Sequence, residues 1–205
     1  MSTTEPIRNK QDLKQFMDFY RVTQPNPRNY ALILFGLYTA LRISDILTLK
    51  WDMIYDFDNN FFLEHLYIQE KKTGKTNVIA LNNHLKSALQ LHFQTQLPQT
   101  GDYIFTKRTD HTKPLNRSQA FRIVKRAAET ATHSQNISCH SLRKTFGYHA
   151  WKQGTPPALL MDIYNHSAYD ITKRYLGIHQ DERDSIFTGI DFQLQIDTKK
   201  NFENC

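Results

Sequence analysis

The sequence predicts a mainly α-helical fold carrying a small antiparallel β-sheet. Apolar residues recur at helical spacing in segment after segment, whereas strand-like runs about a glycine-containing turn occur in one region, residues 61–81. Composition agrees: 40% of the 205 residues are hydrophobic, glycine and proline number seven each, and there is no low-complexity tract or internal repeat. That length suits one well-buried domain and is short for two independent cores.

The first element is an amphipathic helix over Lys10 to Tyr20. Leu13, Phe16, Met17 and Tyr20 share a face, Asp12 is the expected cap, and the breaker QPNPRN follows. Tyr30 to Tyr38 is apolar all round and predicts a buried helix. It runs into a second short helical pattern through Ile43, Ile46, Leu47 and Leu49, and the two meet near Thr39 and Arg42. Phe61 to Gln69 and Asn77 to Leu81 form the hairpin, with lysines at its tip. Helical spacing returns over residues 82–94, with Leu85, Ala88, Leu89, His92 and Phe93 on one face. It returns again over 116–131, with Phe121, Val124 and Ala128 inward. Residues 101–105 between them read as extended. SCHSLRKTFGYHAWKQG predicts a helix stopped by Gly154, PPALLMDIYNHS one opened by proline, and HSAYDITKRYLG a short helix with an aromatic near its end.

Twenty-six Lys and Arg against twenty Asp and Glu give a net charge of +6, which suits a polyanionic partner or a solvated basic surface. No apolar run reaches membrane-spanning length, and the first residues, MSTTEPIRNKQ, lack the apolar core of a signal peptide, so a soluble cytoplasmic protein is expected. Two cysteines, Cys139 and Cys205, make neither a paired zinc motif nor a disulfide framework.

Several places carry residues that phosphate chemistry can use. Arg42 lies at the junction of two apolar helices with Asp45 three residues on, a spacing that lets the carboxylate orient the guanidinium or form an ordinary surface pair. Lys71, Lys72 and Lys75 crowd the hairpin tip; alternation along a strand keeps Lys71 and Lys72 off the same face. His140 and Arg143 sit three apart in HSLRKT, pairing a proton-exchanging imidazole with a guanidinium that can grip two phosphate oxygens. His166 and Tyr175 follow, nine residues apart across a turn and a short helix. Each alone is equally well a structural residue.

The order and wording of TALRISDILTLKW, KKTGKT, CHSLRKTF and NHSAYDITKRYLGI resemble the catalytic domain of the tyrosine recombinases, the family of phage integrases, chromosome-dimer resolvases and fimbrial DNA inverters. The likeness covers about residues 10 to 180. It implies Tyr175 as nucleophile, Arg42 and Arg143 on the scissile phosphate, Lys72 as the acid for the departing 5′-oxygen, and His140 and His166 as proton-handling and phosphate-bonding groups. Asp45 would brace the site, and Lys71 and Lys75 would contact the DNA backbone. The implied chemistry is site-specific cleavage and rejoining of double-stranded DNA through a 3′-phosphotyrosine, in integration, excision or inversion, without metal or other cofactor. A topoisomerase IB-like relaxation activity and a DNA-binding regulator of the same fold are the alternatives.

The resemblance also implies a homotetramer on DNA, an accessory DNA-bending protein, and a division into an amino-terminal lead (1–9), a catalytic domain (10–179) and a tail (180–205) whose segment Ile186 to Phe192 docks on a neighbouring protomer. Relatives commonly carry a separate core-binding domain upstream. Here the first helix begins near residue 10, as in the compact fimbrial inverters or in a catalytic fragment of a longer integrase. Two departures concern backbone freedom: Ala40 and Asn165 stand where relatives often have glycine. Tyr169 lies too close to His166 for the nucleophile's spacing and is expected to pack.

Overall fold

The computed structural model describes residues 4–72, 74–132, 134, 136–176 and 180–192, and is mainly helical with two small antiparallel sheets. Helix α1 (Lys10–Asp18) is capped by Asn9, whose side chain accepts the amides of Gln11 and Asp12. Asp12 therefore lies inside the first turn rather than at the cap; its charge still complements the helix dipole there. A π-helical turn (Phe19–Thr23) follows, burying Phe19 and Tyr20.

α2 (Pro27–Thr39) is the buried central helix that its apolar sequence predicts. It packs against α4 (Asn83–Gln96) on one side and α6 (Cys139–Lys152) on another. Gly36 permits the α2–α6 approach: a Cβ there would fall 2.5 Å from Leu142 Cδ1. α1 packs on α5 (Arg117–Ala131), and residues 4–9 run over α6, where Ile7 is buried and its amide donates to Thr145 Oγ1 at 2.9 Å.

The strand region is divided more finely than the sequence suggests. β1 (Tyr55–Asp56) pairs with β2 (Phe61–Phe62), and β3 (His65–Gln69) pairs separately with β4 (Thr76–Ala80), so residues 61–69 do not form one strand. The break has a physical cause. Phe62, Phe57, Tyr55 and Phe93 gather around an aromatic cluster with Trp51, while β3 alternates and buries Leu66 and Ile68 in the main core. The segment 101–105 makes one isolated bridge, Lys50 to Tyr103, and no longer strand.

α5 carries a full capping box between Asn116 and Gln119 and buries Ala120, Ile123, Val124, Ala127, Ala128 and Ala131. Phe121, expected inward, is 47% exposed: at that end of α5 the buried positions are Ala120, Ile123 and Val124, and Phe121 lines an open cleft beside Arg117 and Ser118 instead of the core. α6, α7 (Pro157–Tyr164) and α8 (Tyr169–Leu176) form a satellite cluster around Leu160, Tyr164 and Leu176, with Ala40 at its edge. The last described helix is α9 (Gln180–Gly189). No helix among the described residues is long and apolar enough to cross a membrane.

Candidate active site

Two left-handed helix ends, the β3–β4 hairpin and helices α6 and α8 bring the predicted residues together. α2 ends at Ala40, which adopts the left-handed conformation (φ 55°, ψ 12°). α7 ends the same way at Asn165 (φ 52°, ψ 42°). These are the two places where relatives carry glycine, so the backbone keeps the turn and bears the modest cost of a side chain there.

Arg42 follows the first turn as the N-cap of α3 (Ile43–Ile46), in extended conformation. The same-face spacing rule needs both residues inside a helix, and Arg42 is outside it. Its guanidinium accordingly pairs with Glu70 and not with Asp45. Glu70 is fully buried at the end of β3, and its Oε1 also accepts Asn77 Nδ2 (3.3 Å) and Asn165 Nδ2 (3.1 Å). One carboxylate thus ties Arg42, the hairpin and the turn before His166. Asp45 is buried too, but its Oδ1 accepts the Lys71 amide at 3.2 Å: it braces the hairpin backbone rather than the arginine.

Arg143 is 1% exposed yet lines a cleft of about 700 Å³ together with Arg42 and His140. It donates to the Ala40 carbonyl and, at 2.7 Å, to the Tyr164 carbonyl, the last residues before or within the two left-handed turns. Two of the five N–H groups of a guanidinium are thereby engaged and the plane is fixed. Burial, followed by the nearby charge of Arg42, lowers its pKa.

Tyr175 projects from α8 into this arrangement. Its ring lies 4.5 Å from that of His166, 4.9 Å from His140 and 5.2 Å from Tyr164, and Arg143 Cζ is 6.0 Å from its centroid. His166 Nδ1 is hydrogen-bonded to Thr172 Oγ1 at 3.0 Å, which sets the ring from the same helix that carries Tyr175. Burial, reinforced by surrounding cations, depresses both histidines to about 4. For His140 those cations include Lys144, Arg143, Arg42 and Lys72, so the exposed hairpin lysine acts electrostatically on the site. Lys71 and Lys75 are likewise exposed at the tip.

Sequence reasoning missed Glu70 and Tyr164. Glu70 is the one carboxylate amid the lysines of QEKKTGK, a signal that was available. Tyr164 carries no such signal: its ring lies 4.6 Å from Arg143 Cζ and stacks on His166, and its hydroxyl donates to the Arg143 carbonyl at 2.8 Å. Tyr169, expected to pack, is 46% exposed at the start of α8. Among the described residues, no group of three or more His, Cys, Asp or Glu is arranged to hold a metal ion.

The chain matches known proteins over nearly its whole length. The phage integrase family model matches residues 8–182. The chain is 37% identical over 181 residues to the probable integrase/recombinase YoeC of Bacillus subtilis, covering 88% of this chain and 93% of that protein. It is 30% identical over 152 residues to the type 1 fimbriae regulatory protein FimE of Escherichia coli, covering 72% of this chain and 73% of FimE. The fold superposes on XerA recombinase with a TM-score of 0.72 at 17% identity, over 91% of this chain and 66% of that one. It superposes equally on XerH bound to its palindromic difH substrate in a post-cleavage complex (TM-score 0.72, 19% identity), over 93% of this chain and 54% of XerH. The chain thus spans between about half and two thirds of those two solved recombinase chains. The chain belongs to the phage integrase family, the tyrosine recombinases.

Proposed function

We propose that this protein is a site-specific DNA recombinase whose nucleophile is Tyr175. The observation that carries the reading is the convergence of two histidine rings and the buried Arg143 guanidinium within about 6 Å of the Tyr175 ring, at a cleft also lined by Arg42. A phenol with an ordinary pKa near 10 is a poor nucleophile at neutral pH and needs cations that favour phenolate or a base that takes its proton. Arg42 and Arg143 supply the first, and they also neutralise charge growing on the non-bridging oxygens of a pentacovalent transition state. His140 provides an imidazole for the second: burial first, and then neighbouring cations, hold its pKa near 4, so it is unprotonated at pH 7, while His166, held near 4 in the same way, is assigned to hydrogen bonding with the phosphate.

The phenolic oxygen attacks phosphorus as the bond to the 5′-oxygen breaks. The leaving oxygen takes a proton, assigned to Lys72, and the products are a 3′-phosphotyrosine and a free 5′-hydroxyl. Reversal by another 5′-hydroxyl rejoins DNA with no net change in bond type, so no nucleotide energy source is required. Lys71 and Lys75 are assigned to the DNA backbone near the hairpin. The residues 180–192 that follow, with Ile186, Phe187, Ile190 and Phe192 exposed, are assigned to contact between protomers of a tetramer on two DNA sites.

The test is a nicked duplex that loses a short 5′-hydroxyl fragment on cleavage and so traps the covalent state. A denaturation-resistant protein–DNA adduct should form with the parent protein and vanish in Tyr175→Phe. An adduct that persists in that variant would move the nucleophile elsewhere.

A further inference from the structure

A second cavity, of about 500 Å³, lies between the chain entering α2 and the outer face of α5. Four arginines line it, Arg28, Arg108, Arg122 and Arg126, and no carboxylate does. None of the four is ion-paired with an acidic side chain among the described residues. Positive charge is therefore concentrated there without a counterion supplied by the fold.

The cavity is also built rather than accidental. Arg28 is half-buried and immobilised: Nη1 donates to the Thr106 carbonyl at 2.7 Å, while Nε and Nη2 both donate to Asn29 Oδ1 at 3.2 and 3.1 Å. Asn29 is itself buried in the first turn of α2. This arrangement leaves one hydrogen on each terminal nitrogen of Arg28 for a ligand. Burial and then the charge of Arg108 lower the Arg28 pKa, so the two cations repel one another across the empty space. Arg122 and Arg126 are exposed and four residues apart on α5, which sets their positions about 6 Å apart along the helix.

The charge count identifies the class of ligand. A single phosphodiester group carries about one negative charge, whereas a nucleic-acid duplex presents one per roughly 1.7 Å of its axis. Four unpaired guanidiniums in one cavity match successive phosphates better than one isolated anion. Position points the same way: Arg122 lines both this cavity and the cleft holding Arg42, His140 and Arg143. The two sites are neighbours joined through a single side chain, as one extended polyanion requires.

We propose that Arg28, Arg108, Arg122 and Arg126 form a second phosphate-binding site, which grips the backbone of the same duplex whose scissile phosphate enters the Tyr175 cleft. The assignment rests on the recombinase reading above and adds to it a fixed anchoring point outside the chemistry. Because it engages phosphates, it contributes affinity and register but no base preference.

The test is fluorescence anisotropy of a labelled duplex against KCl concentration, with the parent protein and the double variant Arg108→Gln, Arg126→Gln. Both side chains are exposed, so the fold should survive; circular dichroism checks it. The logarithmic salt slope should fall by about one to two units, with affinity near 0.1 M salt lower by about tenfold or more. Arg21→Gln, at an exposed arginine paired with Asp18 outside this cavity, should leave the slope unchanged. An unchanged slope and affinity in the double variant, alongside a Tyr175-dependent adduct in the parent, overturns the anchoring site and leaves the recombinase reading standing. Absence of both duplex binding and adduct in the parent overturns the recombinase reading and this inference with it. Loss of tripolyphosphate or ATP binding in the variant, with duplex binding intact, overturns the polymer assignment in favour of a small polyphosphate.

Discussion

Tyr164 is the residue around which the candidate site is organised, although it is assigned no chemical step. Its ring is flanked by Arg143, His166 and Tyr175, and its hydroxyl returns to the Arg143 carbonyl. Gly147 makes this arrangement feasible: a Cβ there would sit 2.0 Å from the Tyr164 oxygen. Tyr164→Phe keeps the stacking and removes one buried hydrogen bond, so it should cost about 1 kcal/mol in urea denaturation with adduct formation largely retained. Tyr164→Leu removes the ring and should slow single-turnover adduct formation by roughly tenfold or more, since stacked pairs are worth about 0.5–1.5 kcal/mol each. Gly147→Ala should be less damaging in the Tyr164→Phe background than in the parent, and equal costs in both would show that the hydroxyl is not what excludes the methyl group. Arg42, His140, Arg143, His166 and Tyr175 were legible because their residue types and order recur as motifs. Tyr164 was not, because its importance comes from what separate elements bring against it; Glu70 was marked only as the one carboxylate among the hairpin lysines, and its partner Arg42 lies 28 positions away.

Among the elements, the β3–β4 hairpin has the most consequence for the site. Asp45 accepts the Lys71 amide, Glu70 pairs with Arg42, and Gly74 takes a positive φ of 66° in the tip after donating its amide to the Glu70 carbonyl at 2.8 Å. The tip end of the hairpin is thus fixed to the α3 junction through Glu70 and the Lys71 backbone, while the side chains of Lys71, Lys72 and Lys75 are exposed. If Lys72 protonates the leaving oxygen, Lys72→Ala should slow cleavage of an ordinary duplex by about 10²-fold or more. It should have little effect on a substrate whose bridging 5′-oxygen is replaced by sulfur, because a thiolate leaves without protonation. Equal slowing on both substrates would assign Lys72 to DNA binding alone. At this scale the sequence predicted the hairpin but not its partner. Spacing along a helix suggested Asp45 for Arg42, and the extended backbone at Arg42 sent the guanidinium to Glu70, just past β3 and 28 positions away.

At the scale of the whole molecule, charge and exposed apolar surface lead to two measurements. His140 and His166 titrate near 4 in the folded protein against about 6.5 when unfolded, so between those values the unfolded chain binds more protons. Their contribution to stability is complete above pH 6.5 and is lost as pH falls through that window. The melting temperature of the DNA-free protein should accordingly decline from pH 6.5 toward 4, and the decline should be shallower in His140→Asn, His166→Asn. His92 is a control that persists in both proteins: it also titrates near 4, through burial, its Nε2 lies 2.7 Å from the Ile104 carbonyl, and it does not line the cleft. The second measurement concerns residues 180–205. Deleting them should abolish the higher assembly on DNA in small-angle scattering, and an unchanged particle mass would remove the proposed contact between protomers.

The sequence by itself determined the helical class, the central buried helix, the hairpin, and five residues now gathered at one site, because these depend on local periodicity and on motifs that survive translation into structure. It also marked Ala40 and Asn165 as unusual, and both take the left-handed backbone. Only the tertiary structure decided that Asn9 rather than Asp12 caps α1, that Phe121 and Tyr169 face solvent, that Glu70 holds Arg42, and that four arginines share an unneutralised cavity. The physical reason is common to all of these: caps, packing distances and charge pairing are settled by which surfaces meet, and residues distant along the chain meet only when the helices have packed.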